Sequence, residues 1–198
     1  MIYELVREPD SAFVPQAVRL HHDALSYRSF ITSFGVGFLE ALYAGIVERD
    51  LGFLVVAREA DELRGFILAC ADSAQMMSVV FRKPWRFLPK MIPTLVRKPS
   101  SLVKLVQTLF YSRKEGTSVK AELVVIAVAD GERSRGIGAE LVKVLDDQLR
   151  RAGVERYKVT VHDEMERSNK FYRRLGFRLD NAFQMYGTTW NLYIRDLI

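Results

Sequence analysis

The sequence predicts a mixed α/β fold, a central sheet covered by helices, on three observations. Apolar spacing switches repeatedly along the chain between the pattern of strands and the three-and-four pattern of helices. Two β-rich runs, LGFLVVARE and LRGFILACA, are separated only by the polar turn Ala60-Asp61-Glu62, a hairpin signal. A further run, AELVVIAVA, is apolar without alternation, as in a strand with both faces covered.

The 198 residues, 49% of them hydrophobic, suit one domain spanning 1–198. No apolar run approaches the length of a membrane span, and the N-terminal MIYELVREPD lacks a basic stretch leading into an apolar one. A cytoplasmic protein is therefore expected.

The elements follow in order. IYELVRE reads as a first strand, and Ser11 as the cap of a helix through AVRLHHDAL, with His21 and His22 expected at its surface. Ser33 is the expected cap of GVGFLEALYAGIVER, where Phe38, Leu39, Leu42 and Ile46 recur at helical spacing. The hairpin then enters the central sheet. Its Cys70 is the lone cysteine, which excludes an internal disulfide and reads as a small buried apolar side chain.

The charge is concentrated in one segment. From Ser73 to Lys114 there are nine Lys and Arg and no acid, whereas the remainder carries 20 basic against 24 acidic residues. Pro84, Pro89 and Pro93 are expected to break any long helix there. Beyond Ser100 and Ser101, the residues Leu102, Leu105, Val106, Leu109 and Phe110 mark one helical face. The whole reads as a helical hairpin inserted between strands at about 75–118, longer than an ordinary connection. With Trp85, Phe87, Phe110 and Tyr111 interleaved, it suits an anionic small molecule, such as a nucleotide-linked amino sugar, or an anionic membrane surface. It equally suits a cover for the sheet or a homodimer contact; a nucleic acid is not the expected partner.

After AELVVIAVA, the residues Ile137, Leu141, Val144, Leu145, Leu149 and Ala152 form a helical stripe that stops at Gly153. RYKVTVH is the next strand, ERSNKFYRRL a helix closed by Gly176, and TTWNLYIRDL a last strand. Between strand and helix lies RSRGIGAELV, Arg133 to Val142. A helix start exposes amide hydrogens without intrahelical partners, and the peptide dipoles add positive charge there. Gly136 and Gly138 would let an anion reach the backbone, and Arg133 and Arg135 would supply countercharge. An ordinary turn has the same spacing. Neither G-x-G-x-x-G nor G-x-x-x-x-G-K-[ST] is present.

Arg133, Gly136 and Gly138 after a strand, followed downstream by FYRRLGF, resemble the signatures of the GNAT superfamily of acetyl-CoA-dependent N-acetyltransferases. The resemblance covers Glu122 to Phe177. It implies a central, twisted, mostly antiparallel sheet of about seven strands, helices on both faces, and a parallel pair splayed at the cofactor. It implies an acyltransferase acting by direct attack of a primary amine on acetyl-CoA, with no metal. Backbone groups of Ile126, Ala127 and Val128 would meet the pantetheine arm. Amides of Arg133, Ser134, Arg135, Gly136, Ile137, Gly138 and Ala139 would hold the pyrophosphate, and Phe171 would border the acyl-CoA site.

Glu122 stands where histone-type members keep a catalytic glutamate; it is either a base or a solvated strand-end residue. His162 and Asp163 are reserve bases. Tyr172 is the proton donor to the departing thiolate in the resemblance, and otherwise an aromatic packing residue beside Phe171. Many members carry an asparagine seven residues before that tyrosine. Here the position is Met165, and Asn169, on the helix face of Tyr172, is the substitute expected to bind the pantetheine. The rival reading is a non-catalytic acyl-CoA sensor or scaffold.

Overall fold

Seven strands form one sheet in the order β1-β2-β3-β4-β5-β7-β6. They are β1 (Ile2–Val6), β2 (Phe53–Glu59), β3 (Glu62–Cys70), β4 (Glu122–Val128), β5 (Arg156–His162), β6 (Arg178–Met185) and β7 (Thr188–Asp196). The structure, a computed structural model, describes residues 1–25, 30–101, 103–104 and 116–197. All neighbouring strands are antiparallel except β4 and β5, which run parallel and share a single register pair, Glu122 with Lys158. The predicted mostly antiparallel sheet with one splayed parallel pair is thus observed.

Alternation along the hairpin explains why helices cover both faces. Leu54, Val56, Phe66 and Leu68 pack with α1 (Phe13–Leu25) and α2 (Val36–Glu48). Val55, Ala57, Ile67 and Ala69 pack with α5 (Ile137–Arg151) and with Tyr172 of α6 (Glu166–Arg174). Between β3 and β4 the chain adds α3 (Ser73–Arg82) and α4 (Pro84–Arg97) on the α1–α2 side, where Met76, Val79, Phe87 and Met91 join the core.

Several details depart from the sequence reading. Ser33 lies inside a short 3-10 turn, Ile31–Phe34, and its hydroxyl donates back to the Phe30 carbonyl. The start of α2 falls instead to Gly35, at φ +86, whose carbonyl accepts from Phe38 and Leu39. Pro84 marks a helix break as expected, with α3 ending at Arg82 just before it, but Pro89 and Pro93 do not, since α4 runs through both. Pro84 sits at its first turn, where a missing amide hydrogen costs nothing. Pro89 and Pro93 are exposed, so water can take the carbonyls deprived of donors. The expected helical face from Leu102 through Phe110 lies outside the described residues. Strand β6 had no sequence signal, being an edge strand with mostly exposed side chains.

His21, expected at the surface, is buried. Its Nδ1 lies 2.8 Å from the Tyr43 hydroxyl and its ring packs near Phe66. Loss of hydration, aided by the neighbouring His22, pulls its pKa down to about 4. An unfolded histidine titrates near ~6.5, so between the two values the unfolded chain binds a proton that the folded chain refuses. Stability is expected to fall as pH drops through that window, by about 3 kcal/mol in full. Urea unfolding at stepped pH checks this, and His21→Gln should flatten that part of the profile.

Candidate active site

The strand-to-helix turn after β4 is held open by its own side chains. Ala129 donates to the Arg64 carbonyl, and Asp130–Glu132 make a 3-10 turn. Arg133 donates from Nε to the Val128 carbonyl at 3.1 Å and pairs with Asp130 at 2.6 Å; Arg135 pairs with Glu132 at 3.0 Å. The two signature arginines therefore brace the loop on its own acids. A third, Arg167 at the start of α6, donates to the Ser134 hydroxyl at 3.0 Å.

Gly136 precedes α5 at φ +84, with nothing within 4 Å of where a Cβ would stand, and no side chain caps the helix. Ala139 and Glu140 donate back to the Gly136 carbonyl, and Arg133 donates to the Asp130 carbonyl. Among the described residues, the amides from Ser134 to Gly138 find no acceptor. The run expected to hold a diphosphate is thus trimmed at Arg133 and Ala139 and open between them. An open backbone concavity at the positive end of a 15-residue helix fits an anionic diphosphate. Gly138 serves a different need: a Cβ there would lie 3.2 Å from the Phe171 ring, so its absence lets the first turn of α5 rest on α6.

Beside this turn, β4 and β5 diverge. Lys158 donates from its amide to the Ala121 carbonyl, and beyond the Glu122–Lys158 pair the ladder stops. The edge of β4 that includes Ile126, Ala127 and Val128 therefore faces β5 without ladder partners there, a groove suited to an extended, amide-bearing arm.

At the closed end, Glu122 is not the solvated strand-end residue of one sequence alternative. Its side chain is 9% exposed and stands 4.0 Å from the Lys158 ammonium, itself 2% exposed. Lys158 escaped the sequence reading because a lysine in a strand reads as solvent-facing. The neighbouring Cys70 is buried as expected, and its thiol, raised by burial, donates weakly to the Glu122 carbonyl.

Tyr172 belongs to the opposite, α5–α6 face. Its ring lies 5.2 Å from those of Phe171 and Phe177 and 6.4 Å from that of Tyr193. Burial raises its pKa above the usual phenol range. Its hydroxyl has no hydrogen-bond partner among the described residues. Asn169 takes a different part from the one expected. Its amide nitrogen donates to the carbonyls of His162, Asp163 and Met165, and its oxygen accepts from Asn191 and Tyr193. It is spent on fastening α6 to β5 and β7, leaving no donor for a pantetheine arm. Of the reserve bases, Asp163 accepts from Asn191 at 2.9 Å and His162 packs edge-on to Trp190. Among the described residues, no cluster of three His, Cys, Asp or Glu could hold a metal ion.

A sheet split at its one parallel pair, with an anion-receptive helix start beside the split, is the architecture of acyl-CoA-dependent N-acyltransferases. The chain belongs to the GNAT acetyltransferase family, whose sequence profile, Acetyltransferase (GNAT) family, matches residues 20–177. That family uses acetyl-CoA as cosubstrate. Among solved structures, a ribosomal-protein-alanine N-acetyltransferase from Brucella melitensis aligns with a TM-score of 0.63 at 16% identity, covering 99% of each chain. An aminoglycoside 6'-N-acetyltransferase complexed with coenzyme A aligns with a TM-score of 0.62 at 14% identity, over 100% of this chain and 98% of that one. An N-acetyltransferase from Staphylococcus aureus Mu50 gives 0.62 at 13%, again over 100% and 98%. At these identities the likeness is one of fold. No curated protein matches the sequence.

Proposed function

We propose that residues 1–198 form one N-acetyltransferase domain, with a basic helical insertion, that acetylates a primary amine by direct attack in the cytoplasm. The acceptor proposed is an anionic small molecule such as an amino sugar nucleotide. The observation that carries the reading is the uncapped, left-handed entry into α5 beside the β4–β5 split.

Acetyl-CoA supplies an acyl carbonyl activated as a thioester. The amides of Ser134 to Gly138 would hold its diphosphate, and the edge of β4 at Ile126 to Val128, which has no ladder partner on β5, would align its amide-bearing arm. An ammonium substrate must lose a proton before its nitrogen can attack, and Glu122 is the group assigned to take it, directly or through water. Tyr172 is assigned to deliver a proton to the departing sulfur; its raised pKa keeps it in the protonated form the task requires. Glu122 and Tyr172 lie on opposite faces of the sheet, which suits reactants seated in the gap between the strands.

Titration calorimetry with acetyl-CoA, then thiol release across an amine panel that includes nucleotide-linked amino sugars, tests the reading. Gly136→Val is expected to weaken acetyl-CoA binding about tenfold or more, because a β-branched residue resists the left-handed backbone on which the open amides depend. Binding without turnover on any amine would support the sensor instead, and no binding at all would remove the proposal.

A further inference from the structure

Six of the nine exposed large hydrophobic side chains among the described residues lie between Phe81 and Val103. Four of them share one stripe of α4: Trp85 at 71% exposure, Leu88 at 51%, Ile92 at 52% and Val96 at 72%, spaced by three and four residues. The opposite side of the helix is not available. Phe87 and Met91 are buried, with the Phe87 ring 5.5 Å from that of Phe38, and the Thr94 hydroxyl donates to the Ser33 carbonyl. Helix α4 is therefore clamped on α2 by one apolar side while it shows a second to solvent.

Along the edge of the exposed stripe stand Arg86, Lys90 and Arg97, at intervals that keep them on one helical flank. At the α3–α4 corner, Arg49, Arg82, Lys83 and Arg86 surround a cleft of about 250 Å³ beside Trp85. Glu48 is the acid there, and it is already shared by Lys83 and Arg86. The sequence between Ser73 and Lys114 adds no acid of its own.

We propose that this face of α4 docks on an anionic lipid bilayer surface. The stripe would enter the interface with Trp85 at headgroup depth, and the cationic flank and corner cleft would meet lipid phosphates. With 14 residues the helix is too short to span, and no described helix is long and apolar enough to cross a membrane, so it would lie in the surface plane. Charge decides against the other occupants. A second copy meeting this face across a two-fold axis would set Arg86, Lys90 and Arg97 against like charges, with no acid on α3 or α4 to pair them. A nucleic acid would answer the cations and leave the four apolar side chains in water.

The test is co-sedimentation of the full chain with vesicles of phosphatidylcholine alone and with about one third phosphatidylglycerol. Binding is expected only to the anionic vesicles and should weaken steeply with salt. Leu88→Ser with Ile92→Ser, and separately Lys90→Glu with Arg97→Glu, should each weaken it tenfold or more and leave acetyl-CoA binding unchanged, which reports that the variants fold. Four results would overturn the proposal. They are equal binding to both vesicles, anionic binding indifferent to the serine variant, a solution dimer abolished by that variant without vesicle binding, and capture by RNA alone. Vesicle binding is read without acetyl transfer, so the enzymatic reading can fail while this one stands.

Discussion

Tyr172→Phe is expected to bind acetyl-CoA as the parent chain does and to release thiol at least about a hundredfold more slowly. The substitution removes one oxygen and keeps the ring contacts with Phe171, Phe177 and Tyr193. Since the hydroxyl has no protein partner among the described residues, its loss strands no buried donor or acceptor, and stability should change by less than about 1 kcal/mol. A drop in kcat with an unchanged unfolding midpoint and unchanged acetyl-CoA affinity therefore separates proton delivery from packing. Burial raises this phenol above its usual range, so its own ionisation should produce no alkaline fall in rate below about pH 10. A variant as fast as wild type would remove Tyr172 from the chemistry.

The second large effect is on stability. Asp146 is buried in the apolar stripe of α5, accepting from the Tyr157 hydroxyl at 2.7 Å and from Arg195 at 2.7 and 3.0 Å. Arg195 also donates to the Leu175 carbonyl at the end of α6 and lies over the Phe177 ring. One carboxylate thus ties the helix that begins at the glycine turn to the helix that carries Tyr172. Asp146→Ala leaves a partly buried guanidinium and a buried hydroxyl without their acceptor. It is expected to cost about 3–5 kcal/mol, nearer the lower figure because Arg195 keeps some solvent, and to lower the melting temperature by roughly 10 °C. Differential scanning calorimetry checks it, and a loss below about 1 kcal/mol would show the network to be dispensable.

The turn at Arg133–Gly138 was legible in the sequence because a helix start with glycines is governed by local backbone physics. So were the hairpin, β5 and the stripe of α5, whose periodicities are strong and short in range. What escaped depends on distant partners. Asp146 reads as one polar residue within a helix until Tyr157, 11 positions on, and Arg195, 49 on, are folded against it. His21 reads as a surface residue until Tyr43 closes over it. Asn169 resembles a ligand contact in the linear motif, yet five neighbours from three segments claim its amide. Pro89 and Pro93 misled for a further reason: the penalty of a proline inside a helix is local, and the burial of Phe87 and Met91 beside them, which holds α4 in place, is not.

The single Glu122–Lys158 rung has a mechanical meaning. Strands β1 to β4 and strands β5 to β7 are two leaves bound at one corner of a shared spine, with the helices as their cover. An extended guest lying along the open part of that spine would stitch leaf to leaf, acting in the bound state as the strand pairing that the polypeptide itself leaves unmade.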